Sequence, residues 1–285
     1  MPRLTRRRRA RLTEGELWAR EQLQLLLRAR FAPPAVARFF VASQRRTNEA
    51  RAARPDTARR MRLWIAFGSA AWAGLALAGR EPFRRRRRSF ATWWALTWLM
   101  LDWHIGMVET EDGRARNLGP ADACTLVRVW LVPAAVDTPA PWMAALAFVT
   151  DGLDGRLARA GEPTRIGRDL EGLADAAFAA AALRGALAQG WLSRGAGAAE
   201  LVRLGIGLGY ALLVWFGSAA APDPRVLHAG RMTTPLRAGG LVAAGLGYRR
   251  LAGALLGAGG AWSTVAIAMA LRQPTKADER PDLAG

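Results

Sequence analysis

Four acidic side chains stand at helical spacing within one short segment of the chain: Asp151, Asp154, Glu171 and Asp175. The first two are three residues apart and the last two are four apart, so each pair occupies one face of a helix. Two such helices placed face to face would bring four carboxylates together. Carboxylates that close repel one another unless protons or cations lie between them. Oxygen ligands suit Mg²⁺, with Mn²⁺ as the alternative, so the spacing predicts a metal site between two helices.

Small residues accompany these acids. Gly155 and Ala158 follow the first acidic pair, Arg159 comes next, and Gly167 precedes the second pair. Gly155 and Ala158 leave room for a ligand on the face that carries the acids. A competing interpretation is a helical hairpin in which arginines, and not a metal, neutralise the acids; the nearest in sequence are Arg156, Arg165 and Arg168.

The whole segment resembles the signature of the CDP-alcohol phosphatidyltransferase family, D-x-x-D-G-x-x-A-R, a spacer of seven or eight residues, and G-x-x-x-D-x-x-x-D. Every fixed position matches except the third aspartate, where this chain has Glu171. The resemblance implies an enzyme of phospholipid biosynthesis that transfers a phosphatidyl group from a CDP-linked donor, such as CDP-diacylglycerol, to an acceptor alcohol and releases CMP. Because Mg²⁺ tolerates displaced ligands poorly, the longer Glu171 leaves a second interpretation open. This is a catalytically silent membrane or scaffold relative that binds anionic lipid.

The resemblance also implies a role for each residue of the motif. Two ions, Mg²⁺ or Mn²⁺, would be held by the acids of the motif, and Asp175 would also be the catalytic base that takes the proton of the acceptor. The expected metal ligands are Asp151, Asp154, Glu171 and Asp175. The residues expected to bind the nucleotide of the donor are Gly155, Ala158, Arg159 and Gly167.

Two weaker similarities point to arginines that would bind the acceptor. The segment from Asp122 to Arg128 resembles the N-x-L-T-x-x-R entry to the first helix of the family, with Asp122 in place of the usual asparagine. Residues 228–233 resemble the G-K-x-K-T stretch before the fifth helix and contain Arg231, and Arg203 is similar to an arginine of the fourth helix region. Arg128, Arg203 and Arg231 favour a phosphorylated or anionic acceptor, since guanidinium suits phosphate. The alternative is that these arginines cap helices or extend to lipid headgroups.

Eight apolar stretches predict an all-α, polytopic membrane protein without a cleavable signal peptide, because several reach the roughly 17 to 25 residues of a membrane span. They occupy residues 63–79, 90–107, 123–136, 140–150, 172–190, 198–221, 236–248 and 251–271. The family implies six of the helices, around a polar cavity open to the cytoplasm. The predicted parts are a basic N-terminal region (1–62), up to two extra membrane segments (63–118), the six-helix domain (119–272) and a polar tail (273–285).

The two extra segments, 63–79 and 90–107, flank the arginine cluster 84–88. If both segments span and the acidic motif faces the cytoplasm, the cluster lies outside, against the positive-inside tendency. This conflict favours a re-entrant or interfacial position for one of them. Asp102 and His104 lie in the second segment, and polar groups at membrane depth predict either a function or a buried pair.

The N-terminal region is rich in arginine and contributes much of the net charge of +18. Thr13 and Glu16 have the spacing of a capping box ahead of apolar residues. They predict a basic amphipathic helix on anionic membrane lipid, with a solvated disordered tail as the expectation for part of the region. A nucleic-acid-binding arm is the competing interpretation, and we expect no nucleic-acid partner because membrane segments follow. The sequence leaves a homodimer open.

Overall fold

The computed structural model describes residues 13–110, 113–161, 164–214 and 222–272, without the side chains of residues 168 and 169. In this part of the chain the regular secondary structure is helical, which confirms the all-α prediction, and one isolated β-bridge joins Glu109 and Ala115. The helices are α1 Glu14–Arg28, α2 Pro33–Ala53, α3 Pro55–Leu77, α4 Arg87–Trp103, α5 Pro120–Ala135, α6 Pro141–Ala160, α7 Arg165–Ala188, α8 Arg194–Leu213, α9 Pro224–Gly245 and α10 Arg249–Arg272. A 3₁₀ turn, Ile105–Met107, follows α4.

Helices α5 to α10 form a bundle in which α5 packs on α6 and α7, α9 packs on α6 and α10, and α8 packs on α7 and α10. Proline in the first turn starts α5, α6 and α9, where its missing N–H costs no helical hydrogen bond. Thr164 caps α7 by accepting a hydrogen bond from the Gly167 amide at 3.0 Å. The local sequence thus fixes where the helices that carry the acids begin.

Tryptophan side chains form hydrogen bonds that join α3 and α4 to α5. The indole N–H of Trp93 in α4 donates to the Val129 carbonyl of α5 at 2.9 Å. In the opposite direction, the indole of Trp130 in α5 donates to the Gly68 carbonyl of α3, also at 2.9 Å. An indole N–H needs such a partner when it is buried. The two helices that precede the six-helix bundle therefore share its core.

The start of α9 differs from the sequence prediction. Residues 228–233 were expected to precede the fifth helix of the bundle, but they lie inside α9. The helix starts at Pro224, where the side chain of Asp223 accepts a hydrogen bond from the Arg225 amide at 2.8 Å. The polar residues of the first turns had masked this start, since the apolar stretch alone begins at residue 236. The helix that contains the predicted extra segment 63–79, α3, similarly starts earlier, at Pro55.

The arginine cluster between α3 and α4 lies beside the connection between α5 and α6. Arg86 forms an ion pair with Asp137, and the Nη2 atom of Arg85 lies 3.5 Å from the Asp137 carboxylate. This connection precedes α6, whereas the acidic motif lies towards its other end. The arginine cluster and the α6–α7 connection are therefore at opposite ends of α6. With the acidic motif facing the cytoplasm, this arrangement still puts the arginines on the outside, against the positive-inside tendency.

The N-terminal helices dock onto the same end of the bundle as the start of α7. The predicted capping box is confirmed: the amide of Thr13 donates to Glu16 at 2.9 Å and the amide of Glu16 donates to Thr13 at 3.4 Å. Glu16 also forms a buried ion pair with Arg165, the first residue of α7. In α2, Nε of Arg51 donates to Asp102 at 2.8 Å, so the buried Asp102 is paired with a partly exposed arginine.

His104 is hydrogen-bonded to a backbone carbonyl, that of Met100, through Nδ1 at 2.6 Å. It therefore has the ordinary structural role that a lone histidine usually has. The described part of the N-terminal region is helical from residue 14 to 53 apart from a short turn. Residues 1–12 and the predicted polar tail, 273–285, lie outside the described residues.

Two of the described helices, α8 and α10, are long and apolar enough to cross a membrane, with mean hydropathies of 1.3 and 1.6. The charged residues of the helices that carry the acidic motif lie in the second half of α6 and, apart from Arg184, in the first half of α7. Such helices span a membrane only when their polar faces turn towards a bundle interior or a cavity.

Candidate metal centre and active site

The carboxylates of α6 and α7 meet between the two helices. One oxygen each of Asp151, Asp154 and Glu171 lies within 4.8 Å of the others, so the three can share a cation. Asp154 is the innermost, with 3% of its surface exposed. Glu171 has one methylene more than the aspartate of the family motif, and its carboxylate still lies with those of Asp151 and Asp154. Helical spacing alone had predicted that these acids would face one another.

A cation would relieve a large repulsion at this cluster. Two unit charges about 4.8 Å apart repel by about 3 kcal/mol at an effective dielectric constant of about 20. One oxygen of Asp154, Oδ2, accepts a hydrogen bond from Thr125 at 3.2 Å. The other, Oδ1, is buried without a hydrogen-bond partner among the described residues. An oxygen-only donor set with one uncommitted buried oxygen fits a hard divalent cation.

Arg128 of α5 links the acids of the two helices. Its Nη2 atom lies 2.7 Å from Asp154 and its Nε atom lies 2.6 Å from Asp175. Asp175 is therefore ion-paired with Arg128, and it is not one of the three acids that converge on a single point. The side chain of Asp175 is 43% exposed, against 4% for Asp154. Of the two acids that pair with Arg128, Asp175 is therefore the one that a substrate can reach.

The arginine that neutralises the acids is thus not among those nearest in sequence. Arg165 pairs with Glu16 of α1, and Arg156 is exposed on α6. The side chain of Arg168 is outside the described residues. Arg128 takes the position because α5 packs against both α6 and α7, a tertiary contact that the spacing of the motif does not encode.

The small residues of the motif have two different surroundings. Gly155 and Ala158 are half-buried, and Arg159 is exposed and folds back over Gly155; a Cβ on Gly155 would lie 3.3 Å from Nη1 of Arg159. Gly167 is at a close contact, where a Cβ would lie 2.5 Å from Oδ1 of Asp122. Asp122 in turn accepts a hydrogen bond from Thr164 at 3.1 Å. The structure therefore gives Gly167 a packing role between α5 and α7.

Of the three arginines expected to bind the acceptor, Arg128 lies in the acidic cluster and Arg203 pairs with Glu200 at 2.7 Å. Arg231 is exposed on α9, and no hydrogen bond or ion pair of its side chain occurs in the described part of the chain. Arg237, which the sequence analysis missed, is half-buried and interacts electrostatically with Asp151 and other acids. The missed signal is a cation within an otherwise apolar stretch of helix.

An apolar cavity of about 270 Å³ adjoins the metal centre. Residues of α4, α5 and α7 line it, and the polar residues of the lining are Thr97, Asp122 and Thr125. Thr125 also donates to Asp154, so the cavity and the acidic cluster share a wall. Helix α4, which supplies Trp93 and Met100 to the lining, precedes the six-helix bundle.

A family model, CDP-alcohol phosphatidyltransferase, matches residues 120–270, more than half of the chain. The chain belongs to the CDP-alcohol phosphatidyltransferase family. The matched residues run from α5 to α10 and include the four motif acids and Arg128. Membership makes the chain a transferase that acts on CDP-alcohol substrates, in a family of membrane enzymes that generally depend on divalent metals. No curated protein and no solved structure matches the chain.

Proposed function

We propose that the protein transfers a phosphatidyl group from CDP-diacylglycerol to an acceptor alcohol, with release of CMP, at a divalent metal centre held by Asp151, Asp154 and Glu171. The observation that carries this proposal is the convergence of the three carboxylates within 4.8 Å, in the residues that match the family. Two ions, Mg²⁺ or Mn²⁺, are the expected complement of the site. Their chemistry would be to neutralise charge on the diphosphate of the donor and on the leaving CMP.

The residues of the chain provide the remaining parts of the reaction. Asp175 takes the proton of the acceptor hydroxyl as the oxygen bonds to phosphorus and the phosphorus–oxygen bond to CMP breaks. Its pairing with Arg128 fixes its carboxylate in one orientation. Because a carboxylate is a weak base for an alcohol, positioning of the two substrates must supply much of the acceleration. Gly155 and Ala158 accept the nucleotide, and Arg159 contacts the donor phosphates.

The apolar cavity beside the centre would hold an acyl chain of the donor lipid. Its lining is almost wholly apolar, and it includes Thr125, which is hydrogen-bonded to Asp154. A lipid whose diphosphate lies at the acids would thus have an acyl chain within reach of this cavity. Burial of alkyl groups contributes about 0.8 kcal/mol for each methylene.

We further propose a multi-pass membrane location with the metal centre facing the cytoplasm and the N-terminal helices on anionic lipid. The hairpin of α1 and α2 exposes apolar side chains at its turn, including Leu27 and Phe31. Arg38 and Arg45 are exposed along α2, and Arg46 lies over the ring of Trp18 at 5.0 Å. Apolar side chains beside exposed arginines are typical of a segment at an anionic membrane surface.

Release of CMP by the purified protein in lipid nanodiscs tests the reaction. The assay supplies CDP-diacylglycerol, Mg²⁺ or Mn²⁺ and a pool of acceptor alcohols, and mass spectrometry identifies the lipid product. We expect release to require metal and acceptor, and to be lost in Asp154→Asn and Asp175→Asn. Asp56→Asn is the matched control, because Asp56 is exposed in the first turn of α3. CMP release that persists without metal, or in both variants, would contradict the proposal.

A catalytically silent membrane protein is the second candidate, because Arg128 already neutralises Asp154 and Asp175. Metal binding and CMP release, measured together, distinguish the two candidates. A silent relative would bind Mn²⁺ at the acids, as seen by electron paramagnetic resonance, while releasing no CMP with any CDP-linked donor. Glu171→Asp restores the motif of the family, so a gain of CMP release in this variant would identify Glu171 as the cause of silence.

A further inference from the structure

An open groove of about 620 Å³ lies between α1 and α2 and shares no lining residue with the metal centre or the apolar cavity. Its lining residue from α1 is Trp18, and its charged lining residues, all in α2, are Arg38, Arg45, Arg46 and Glu49. Pockets of this size are typical of sites that hold a small molecule. Because three arginines and one glutamate line the groove, its net charge is positive and favours an anion.

Two of these arginines are available to a ligand. Arg45 is exposed and forms no hydrogen bond or ion pair with any residue that the structure describes. Arg38 is also exposed, and its Nε atom donates within its own helix, to the Pro34 carbonyl at 3.3 Å. Glu49 lies one turn after Arg45, but no ion pair joins the two in the described part of the chain. The terminal nitrogens of both guanidinium groups are therefore uncommitted.

Helical geometry places these two arginines on the same side of α2. They are seven residues apart, which is two turns and about 10 Å along the helix axis. Ala42 lies between them in the lining, and its small side chain leaves space that the two long side chains can reach. Guanidinium groups bind phosphate oxygens through paired hydrogen bonds. A phosphate ester lying over Ala42 is the anion that this arrangement suits.

The third arginine fixes α1 against α2. Arg46 lies over the ring of Trp18, 5.0 Å from its centroid, and its Nη2 atom lies 3.6 Å from Oε1 of Glu14. A cation over an indole ring is an attractive contact, whereas the pair with the exposed Glu14 contributes little. The groove is therefore formed between two helices that are in contact with one another, before any ligand is bound.

The surroundings of the groove favour a lipid as the source of the phosphate. Val41 in the lining and Leu17 next to Trp18 are apolar yet exposed. Helix α1 also pairs with α7 through Glu16 and Arg165, so the groove is at the end of the bundle where α7 begins. In the proposed orientation this end faces the cytoplasm, where the membrane surface carries anionic headgroups. A soluble phosphate compound would make no use of the exposed apolar side chains.

We propose that the groove between α1 and α2 is a discrete binding site for the phosphodiester headgroup of an anionic phospholipid, which rests on the proposed position of these helices at the membrane. The phosphate oxygens accept hydrogen bonds from Arg38 and Arg45, and the acyl chains pass Val41 and Leu17 into the bilayer. A zwitterionic lipid carries the same phosphate, but its ammonium group is disfavoured by the positive charge of the groove. A discrete site thus discriminates between lipids in a way that a diffuse attraction of charges does not.

Native mass spectrometry of the full chain in detergent, titrated with phosphatidylglycerol or phosphatidylcholine, tests the site. The variants are Arg38→Gln, Arg45→Gln and Arg45→Lys. Arg28→Gln is the matched control, because Arg28 is exposed at the end of α1 and does not line the groove. We expect the Kd of the most tightly bound phosphatidylglycerol to rise about tenfold to a hundredfold in both glutamine variants. The rise should be smaller in Arg45→Lys and absent in Arg28→Gln.

Hydrogen exchange in nanodiscs locates the bound lipid. Phosphatidylglycerol, added to nanodiscs of phosphatidylcholine, should slow amide exchange in α1 and α2 of the wild type and of Arg28→Gln, but not of Arg38→Gln. The same slowing by inorganic phosphate in phosphatidylcholine alone would assign the groove to a soluble phosphate and overturn the lipid assignment. Tryptophan-fluorescence melting of each variant verifies that the fold is retained.

Equal weakening of binding by Arg28→Gln and by the groove variants would overturn the discrete site while leaving the helices at the membrane surface. Equal affinity for phosphatidylcholine and phosphatidylglycerol, or an unchanged affinity in both glutamine variants, would also overturn it. Absence of any slowing by phosphatidylglycerol would contradict both the site and the proposed contact of these helices with anionic lipid. Neither measurement involves turnover, so a protein that releases no CMP would still give a decisive result.

Discussion

Replacing Arg128 by methionine should destabilise the protein strongly in the absence of divalent metal and much less in its presence. The guanidinium is ion-paired with Asp154 at 2.7 Å and with Asp175 at 2.6 Å, and only 2% of the side chain is exposed. Methionine keeps the packing of the stem but leaves two carboxylates without their counter-ion. Removal of one partner from a buried ion pair costs about 3 to 5 kcal/mol.

The expected magnitude follows from the size of the protein and from linkage. A loss of 1 kcal/mol lowers the melting temperature of a domain of this size class by roughly 2 to 4 °C, so the variant should melt about 10 °C lower in EDTA. A cation bound to the acids would replace the lost positive charge and stabilise the folded state by mass action. The difference between variant and wild type should therefore narrow as Mg²⁺ is added.

Melting followed by tryptophan fluorescence in nanodiscs measures both effects, in EDTA and over a range of Mg²⁺ concentrations. Arg156→Met is the matched control, because Arg156 is on α6 close to the same acids in sequence but is exposed. Equal destabilisation by the two substitutions would refute the importance of the Arg128 ion pairs. A deficit that Mg²⁺ does not reduce would refute the placement of a cation at these acids.

Three further substitutions have expected outcomes. Glu171→Gln should raise the Mg²⁺ or Mn²⁺ concentration needed for half-maximal CMP release by about tenfold or more, because a charged ligand is lost from a three-acid cluster; an unchanged metal requirement would exclude Glu171 as a ligand. Gly167→Ala should destabilise the fold by about 1 to 3 kcal/mol, measured by melting, since its Cβ would lie 2.5 Å from Asp122; an unchanged melting temperature would mean that the side chain of Asp122 moves aside without cost. Glu16→Gln should speed hydrogen exchange at the start of α7, because it removes the ion pair between Glu16 and Arg165; no change there would show that this ion pair does not stabilise the start of α7.

The parts of the site that follow helical periodicity were predictable from the sequence. The spacing of Asp151, Asp154 and Glu171 places them on facing helices, and the structure brings their carboxylates within 4.8 Å of one another. The capping box of Thr13 and Glu16 is likewise local, because its two hydrogen bonds join residues three apart. Interactions between residues within one or two helical turns can be predicted from the local sequence alone.

The parts that depend on packing between distant helices were not predictable in this way. The sequence predicted Arg128 only as an acceptor-binding arginine, and its ion pairs with Asp154 and Asp175 arise because α5 lies against both α6 and α7. Arg237 has no motif around it, and its relation to Glu200 arises only when α8, α9 and α10 pack together. Charge and hydropathy along the chain carry no information on which helices meet.

The indole hydrogen bonds between α4, α5 and α3 place a practical limit on how the protein can be shortened. A fragment that starts at residue 119 would keep all four acids of the motif and the whole segment that matches the family. It would also leave the indole N–H of Trp130 without its acceptor, the Gly68 carbonyl, and would remove the α4 wall of the apolar cavity. Truncations intended for crystallisation or for fusion partners should therefore cut before Pro55, the first residue of α3, and not at the boundary of the family match.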